Sequence, residues 1–227
     1  MSAAGSTAAR RRPGSRSLAR RAVSGFGTGI ALGVALGGLA WLADQLPWPW
    51  SALIPANAIG AWVGLGFGLG ASARTVPTGA LRGVVGLLSA VAAYYLLIAV
   101  FGAGVRAIGA THAATIWGGV ALIAGPVFGA AGAAWRHWRG VPRALAVAVP
   151  AAAFIAEGAA FGRLRLDDPN GMLLTIEVLI GLLLPALLLH GSRERLAGYA
   201  GTALLAAGGA LAIGPLTALV RGIADRF

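Results

Sequence analysis

Seven apolar runs, at about residues 24–42, 53–71, 78–101, 113–134, 143–161, 171–190 and 196–220, take up most of the chain. Each approaches the roughly 20 residues that an α-helix needs to cross the hydrocarbon of a bilayer. A membrane β-strand would alternate apolar and polar positions over about ten residues. These runs are continuous, so helices are expected. The breaks between them hold helix-ending residues: Pro47 and Pro49, Pro77, Gly102 and Gly104, Gly140 and Pro142, Pro169-Asn170-Gly171, and Gly191. The expected fold is all-α, a polytopic transmembrane helix bundle of about seven spans. Pro55 and Asn57 interrupt the second run and Pro150 the fifth, so six spans is the alternative count. The expected organisation is a disordered basic tail over 1–21, a helical membrane domain over 22–222 and a short tail over 223–227.

Composition points the same way. Of 227 residues, 58% are hydrophobic and 11% charged, against about a quarter charged in a soluble domain. Most of the surface must therefore face lipid, which makes the bilayer the first partner.

All 18 basic residues are arginine. The absence of lysine beside abundant Ala and Gly points to a GC-rich bacterial genome. It also excludes a retinal-type Schiff base. The arginines fall between apolar runs rather than on one basic surface, so the net charge of +11 does not indicate nucleic acid. With the N-terminus inside, thirteen arginines fall on the cytoplasmic side (six in the tail, then Arg74, Arg82, Arg136, Arg139, Arg143, Arg193 and Arg195). Five fall outside: Arg106, Arg163, Arg165, Arg221 and Arg226. Arginine retention in cytoplasmic loops sets this orientation, in a bacterial plasma membrane. The tail arginines would lie against anionic lipid. The first apolar run is longer than a signal-peptide core and more runs follow, so it is expected to stay as an anchor.

Several chemistries have no signature. The chain has no Cys, hence no disulfide, thiolate metal site or redox pair. Zinc-protease, nucleophile-elbow and phosphate-loop motifs are absent. His137 and His190 lie in different loops without metal-ligand spacing, and "DDPNG" (167–171) is a turn before a span. The expectation is a protein that is not an enzyme and carries no cofactor or metal.

Glycine is concentrated inside the spans. Gly25, Gly29, Gly33 and Gly37 recur every four residues in the first run, and Gly60, Gly64 and Gly68 in the second. Such stripes let helix backbones approach closely, either within the chain or in a homo- or hetero-oligomer. The cytoplasmic turns also share a faint echo, "ASARTVPTGALRGVVGLL", "AWRHWRGVPRALAVAVPA" and "LHGSRERLAGYAGTALL", which suggests three related hairpins after one leading span.

Polar groups inside spans are expensive and need a reason. Glu157, Glu177, Tyr94, Tyr95 and Asn57 all fall in the outer third under this topology, with Asp44, Thr111, His112 and Thr115 at the same boundary. Trp41, Trp48, Trp50, Trp62 and Trp117 share that side. One reading is an outward-facing acidic and aromatic pocket for a small cation or polar molecule. Paired carboxylates in low dielectric repel, which a shared proton or bound cation relieves, and aromatic faces attract organic cations. The other reading is an interfacial aromatic belt with carboxyls held by Arg163, Arg165 or Arg106. On the inner side, Trp135, Arg136, Trp138 and Arg139 are candidates for lipid-headgroup contact, or plain interfacial anchors.

At Pro47-Trp48, Tyr94-Tyr95, "GPVFG" (125–129), Glu157 and Glu177 the chain resembles an uncharacterised family of small actinobacterial multi-pass membrane proteins, over roughly residues 30–190. The resemblance implies a plasma-membrane protein without an assigned activity, and the tail and last run look less like the family. Two functions compete: a small transporter or permease-like protein using that pocket, and a non-catalytic assembly subunit packing through glycine-rich faces.

Overall fold

The computed structural model describes the backbone of residues 15–102, 105–160 and 169–224. Seven helices of 13 residues or more form the bundle: α1 (Ser15–Asp44), α3 (Ile59–Ala71), α4 (Val76–Phe101), α5 (Val105–His137), α6 (Val141–Ala160), α7 (Pro169–Leu188) and α8 (Ser192–Ala224). A four-residue helix, α2 (Trp50–Leu53), and a 3-10 turn over Pro55–Asn57 precede α3. Among the described residues, five helices are long and apolar enough to cross a membrane, within α1, α4, α5, α6 and α7.

The second expected span does not form as one helix. Ile54 is extended, as a residue before proline prefers, and Pro55 starts the 3-10 turn. Helix resumes only at Ile59, and its 13 residues reach about 20 Å at 1.5 Å per residue. That falls short of the roughly 30 Å hydrocarbon core. Pro150, by contrast, lies inside an unbroken α6. The last run is a single helix, α8, which opens on Arg193, Glu194 and Arg195 and is not among the five. The tail expectation needs a similar correction. The backbone of 15–21 continues α1, in keeping with the helix propensity of Leu, Ala and Arg, and residues 1–14 and 225–227 lie outside the described residues.

Packing puts α4 between α1 and α5, with α3 against α4 and α5 and reaching α6. Helix α6 is the most buried of the five and carries α7 and α8 on its flanks. The first glycine stripe is consumed inside the chain: a Cβ at Gly33 would strike the Gly86 carbonyl, and one at Gly37 the Ala90 carbonyl. The α4–α5 contact is as close, with Gly79 and Gly83 against Gly129 and Gly125. Among the described residues, little contact joins α7 to α8, whereas α3–α4 and α5–α6 pack directly. Three equivalent hairpins are therefore not seen among those residues.

The turns after α3, α5 and α7 meet at one end, where several topology arginines act as helix caps. Arg143 and Trp135 donate to the Leu188 carbonyl at 3.1 and 3.3 Å, and Arg195 to Leu189 at 2.9 Å, closing the end of α7. His137 bonds the Ala73 carbonyl at 2.8 Å, and Glu194 accepts from Gly140 N–H at 2.6 Å. Cations suit these carbonyl-rich helix ends.

Candidate functional site

The site at the opposite end is organised by the early start of α3. A helix begins with N–H groups that have no partner in their own turn. Ala58, at the N-cap, has no side chain to accept from them. Glu157 reaches across from α6 instead: Oε1 accepts from Ile59 N–H at 3.0 Å and Oε2 from Gly60 N–H at 3.2 Å. A carboxylate here meets both the free donors and the positive end of the helix dipole. The other end of α3 carries the opposite charge. Arg82 of α4 donates to the carbonyl and hydroxyl of Ser72 at 3.0 and 2.9 Å, with its guanidinium 5.9 Å from the Phe26 ring. The short helix is thus held at both ends by buried ions, Glu157 at 8% exposure and Arg82 at 9%.

Glu177 of α7 is deeper, at 3% exposure. Its Oε1 sits against the position that a Cβ on Gly60 would take, and the N–H of the same Gly60 is held by Glu157 Oε2, so the two carboxyls close on one residue. Only glycine fits at 60, because a Cβ there would collide with Glu177 Oε1 and the Phe154 ring. Glu177 Oε2 is buried with no hydrogen-bond partner. Neither carboxyl meets an arginine or histidine among the described residues. Arg163, Arg165 and the side chain of Arg106 lie outside those residues, as does the side chain of Asn57.

Tyr94 and Tyr95 are elsewhere. They line a cavity of about 370 Å³ between α1, α3, α4 and α5, together with Asp44, Trp62, Trp117 and Phe128. The tyrosines stack edge to face at 4.9 Å, and Tyr94 O–H donates to Asp44 Oδ2. Trp62 is fixed by its Nε1–H on the Ala56 carbonyl at 2.9 Å. Deeper walls are aliphatic, including Leu87, Val91 and Val120. Asp44 and Trp117 are exposed at the bundle surface.

The expected single pocket is therefore two sites divided by the start of α3: Glu157 with Glu177 on one side, Tyr94 with Tyr95 on the other. Ile59 belongs to both, its side chain in the cavity and its N–H on Glu157. Asp44, Trp62 and Trp117 are the cavity residues that the sequence placed only at a boundary. Their shared depth was the available signal.

At the arginine end, Trp135 departs from the headgroup reading. It turns inward, bonds Leu188 and packs its ring 5.7 Å from Phe67. Arg136, Trp138 and Arg139 remain exposed.

The sequence profile of a family of unknown function, DUF6518, matches residues 15–219. The chain belongs to the DUF6518 family. The match takes in nearly all of α8, so the last helix is part of the DUF6518 unit, contrary to the narrower stretch of resemblance. Within this DUF6518 chain, "GPVFG" has a packing role: Gly125 and Gly129 admit the α4 backbone, and Phe128 lines the cavity. No curated protein and no solved structure matches the chain.

Proposed function

We propose that this DUF6518 protein is a multi-pass protein of the bacterial plasma membrane that binds a small organic cation from the outer face, as the binding step of a permease-like activity. The observation that carries this reading is the aromatic cavity with Asp44 beside Tyr94. Five aromatic side chains and one carboxylate around an otherwise apolar space are what a poorly hydrated cation needs, since ring faces attract it and the carboxylate balances its charge. The broken segment before α3 supports the same reading. Irregular backbone at membrane depth is tolerated where it is buried in protein or lines a cavity, and transporters place binding sites at such breaks. The proposal includes no catalytic step.

The test uses the purified protein in nanodiscs, with tryptophan fluorescence reporting benzyltrimethylammonium binding. The wild type should bind the cation at least about tenfold tighter than its neutral carbon isostere. Asp44→Asn should remove most of that preference. Equal binding of cation and isostere in the wild type would defeat the reading. Orientation is accessible separately, because the chain has no cysteine. Single cysteines at Arg74 and Thr111 should be labelled by an impermeant maleimide from opposite sides, with Arg74 protected in intact cells.

The alternative, an assembly subunit, draws on Gly64 and Gly68. They are exposed on α3, four residues apart, with nothing within 4 Å of a Cβ. It predicts that Gly64→Leu abolishes a crosslinked homo- or hetero-oligomer, and a crosslinked complex that survives this change would contradict it.

A further inference from the structure

We propose that the Glu157–Glu177 pair is a one-proton site, a carboxyl–carboxylate couple that binds a single exchangeable proton behind the start of α3. This site is separate from the aromatic cavity and stands whatever that cavity holds.

The argument is one of charge and donors. Both Glu157 oxygens are engaged by Ile59 and Gly60 N–H. That end of the helix supplies the equivalent of about half a positive charge. It can balance most of one carboxylate, not two. Glu177 adds a second carboxyl to the same enclosure, with Phe154 and Gly60 closing around it. Among the described residues, the groups facing it from each neighbouring element are few. Helix α6 contributes Glu157, and α3 contributes its N–H groups. Helix α2 has no ionisable side chain, and on α8 Tyr199 donates to the Leu182 carbonyl. No described cation is there to share the load.

A single proton between the two carboxyls resolves this. It leaves one negative charge for the helix end and replaces the repulsion of two carboxylates closing on the same Gly60 with an O–H···O bond between them. The orphaned Oε2 of Glu177 fits the same assignment. An unpartnered buried oxygen is far less costly on a neutral carboxyl than on an ion. Glu177 is then the neutral member and Glu157 the ion.

Infrared spectroscopy tests this directly, because the whole chain has only seven acidic side chains. In the wild-type protein at neutral pH, a carboxylic-acid carbonyl band worth one group should be present and should shift on exchange into deuterium oxide. It should vanish in Glu177→Gln and also in Glu157→Gln, since either lone carboxyl can ionise against α3. It should be unmoved by adding sodium or potassium chloride. Absence of the band in the wild type would overturn the proposal without recourse to any variant. So would a band that survives both substitutions, or one that disappears on adding either salt, which would assign the site to a metal cation.

Discussion

On one side of Ile59 and Gly60, two carboxyls are shut away at 8% and 3% exposure, one of them with both oxygens on helix N–H groups. On the other side a third carboxylate, Asp44, stands exposed beside Tyr94 and an aromatic cavity. Position along the helices marks both sites equally. What separates them is burial and the space each one faces. Glu157 is spent on starting a helix, Glu177 is enclosed with it, and only the shallower acid faces a space large enough for an organic ligand. A buried acid in a helical bundle is thus not by itself a ligand site; its donors have to be counted first.

The largest effect should come from breaking the divide itself. Gly60→Leu forces a side chain into Phe154 and Glu177. Overpacking of this kind costs about 1–3 kcal/mol, and it displaces the α3 start that both sites share. A lowered unfolding temperature together with lost cation binding is expected; a wild-type melting curve would show that the divide is not rigid. Next is Glu157→Leu, which orphans the buried Gly60 N–H and the part-buried Ile59 N–H, at about 1–3 kcal/mol for the buried one. Asp44→Leu should cost less, about 0.5–1.5 kcal/mol for the lost hydrogen bond from Tyr94. Equal thermal shifts in the two variants would erase the distinction between a structural and an accessible acid.

These two acids also show how far the sequence could be read. Hydropathy exposes the helical class, and the polar depth pattern groups Glu157, Glu177, Tyr94 and Tyr95 toward one end of the bundle. It cannot show which faces meet, because Glu157, Glu177, Tyr94 and Tyr95 share a depth while pointing into different inter-helix spaces. The half-length of α3 was hidden too. Its apolar run reads through Pro55, and the break is stabilised by Glu157, a residue 98 positions away along the chain. Trp135 misleads for a related reason: an indole next to exposed arginines looks interfacial, but its N–H bonds the part-buried Leu188 carbonyl.

Smaller effects would sharpen the cavity. Trp62→Ala and Trp117→Ala should each weaken cation binding by about 0.5–2 kcal/mol, measured by titration, while leaving the carboxylic-acid infrared band unchanged. Tyr94→Phe removes one hydrogen bond to Asp44 and should cost about 0.5–1.5 kcal/mol of affinity, without altering the preference for cation over isostere.

The central claim is that the accessible acid of the cavity, and not the buried pair, meets the ligand. The most direct measurement is the affinity of benzyltrimethylammonium for wild type, Asp44→Asn and Glu177→Gln in the same nanodiscs. A loss of about tenfold or more in Asp44→Asn, with Glu177→Gln close to wild type, is the predicted result. Loss in Glu177→Gln with Asp44→Asn unaffected would contradict it.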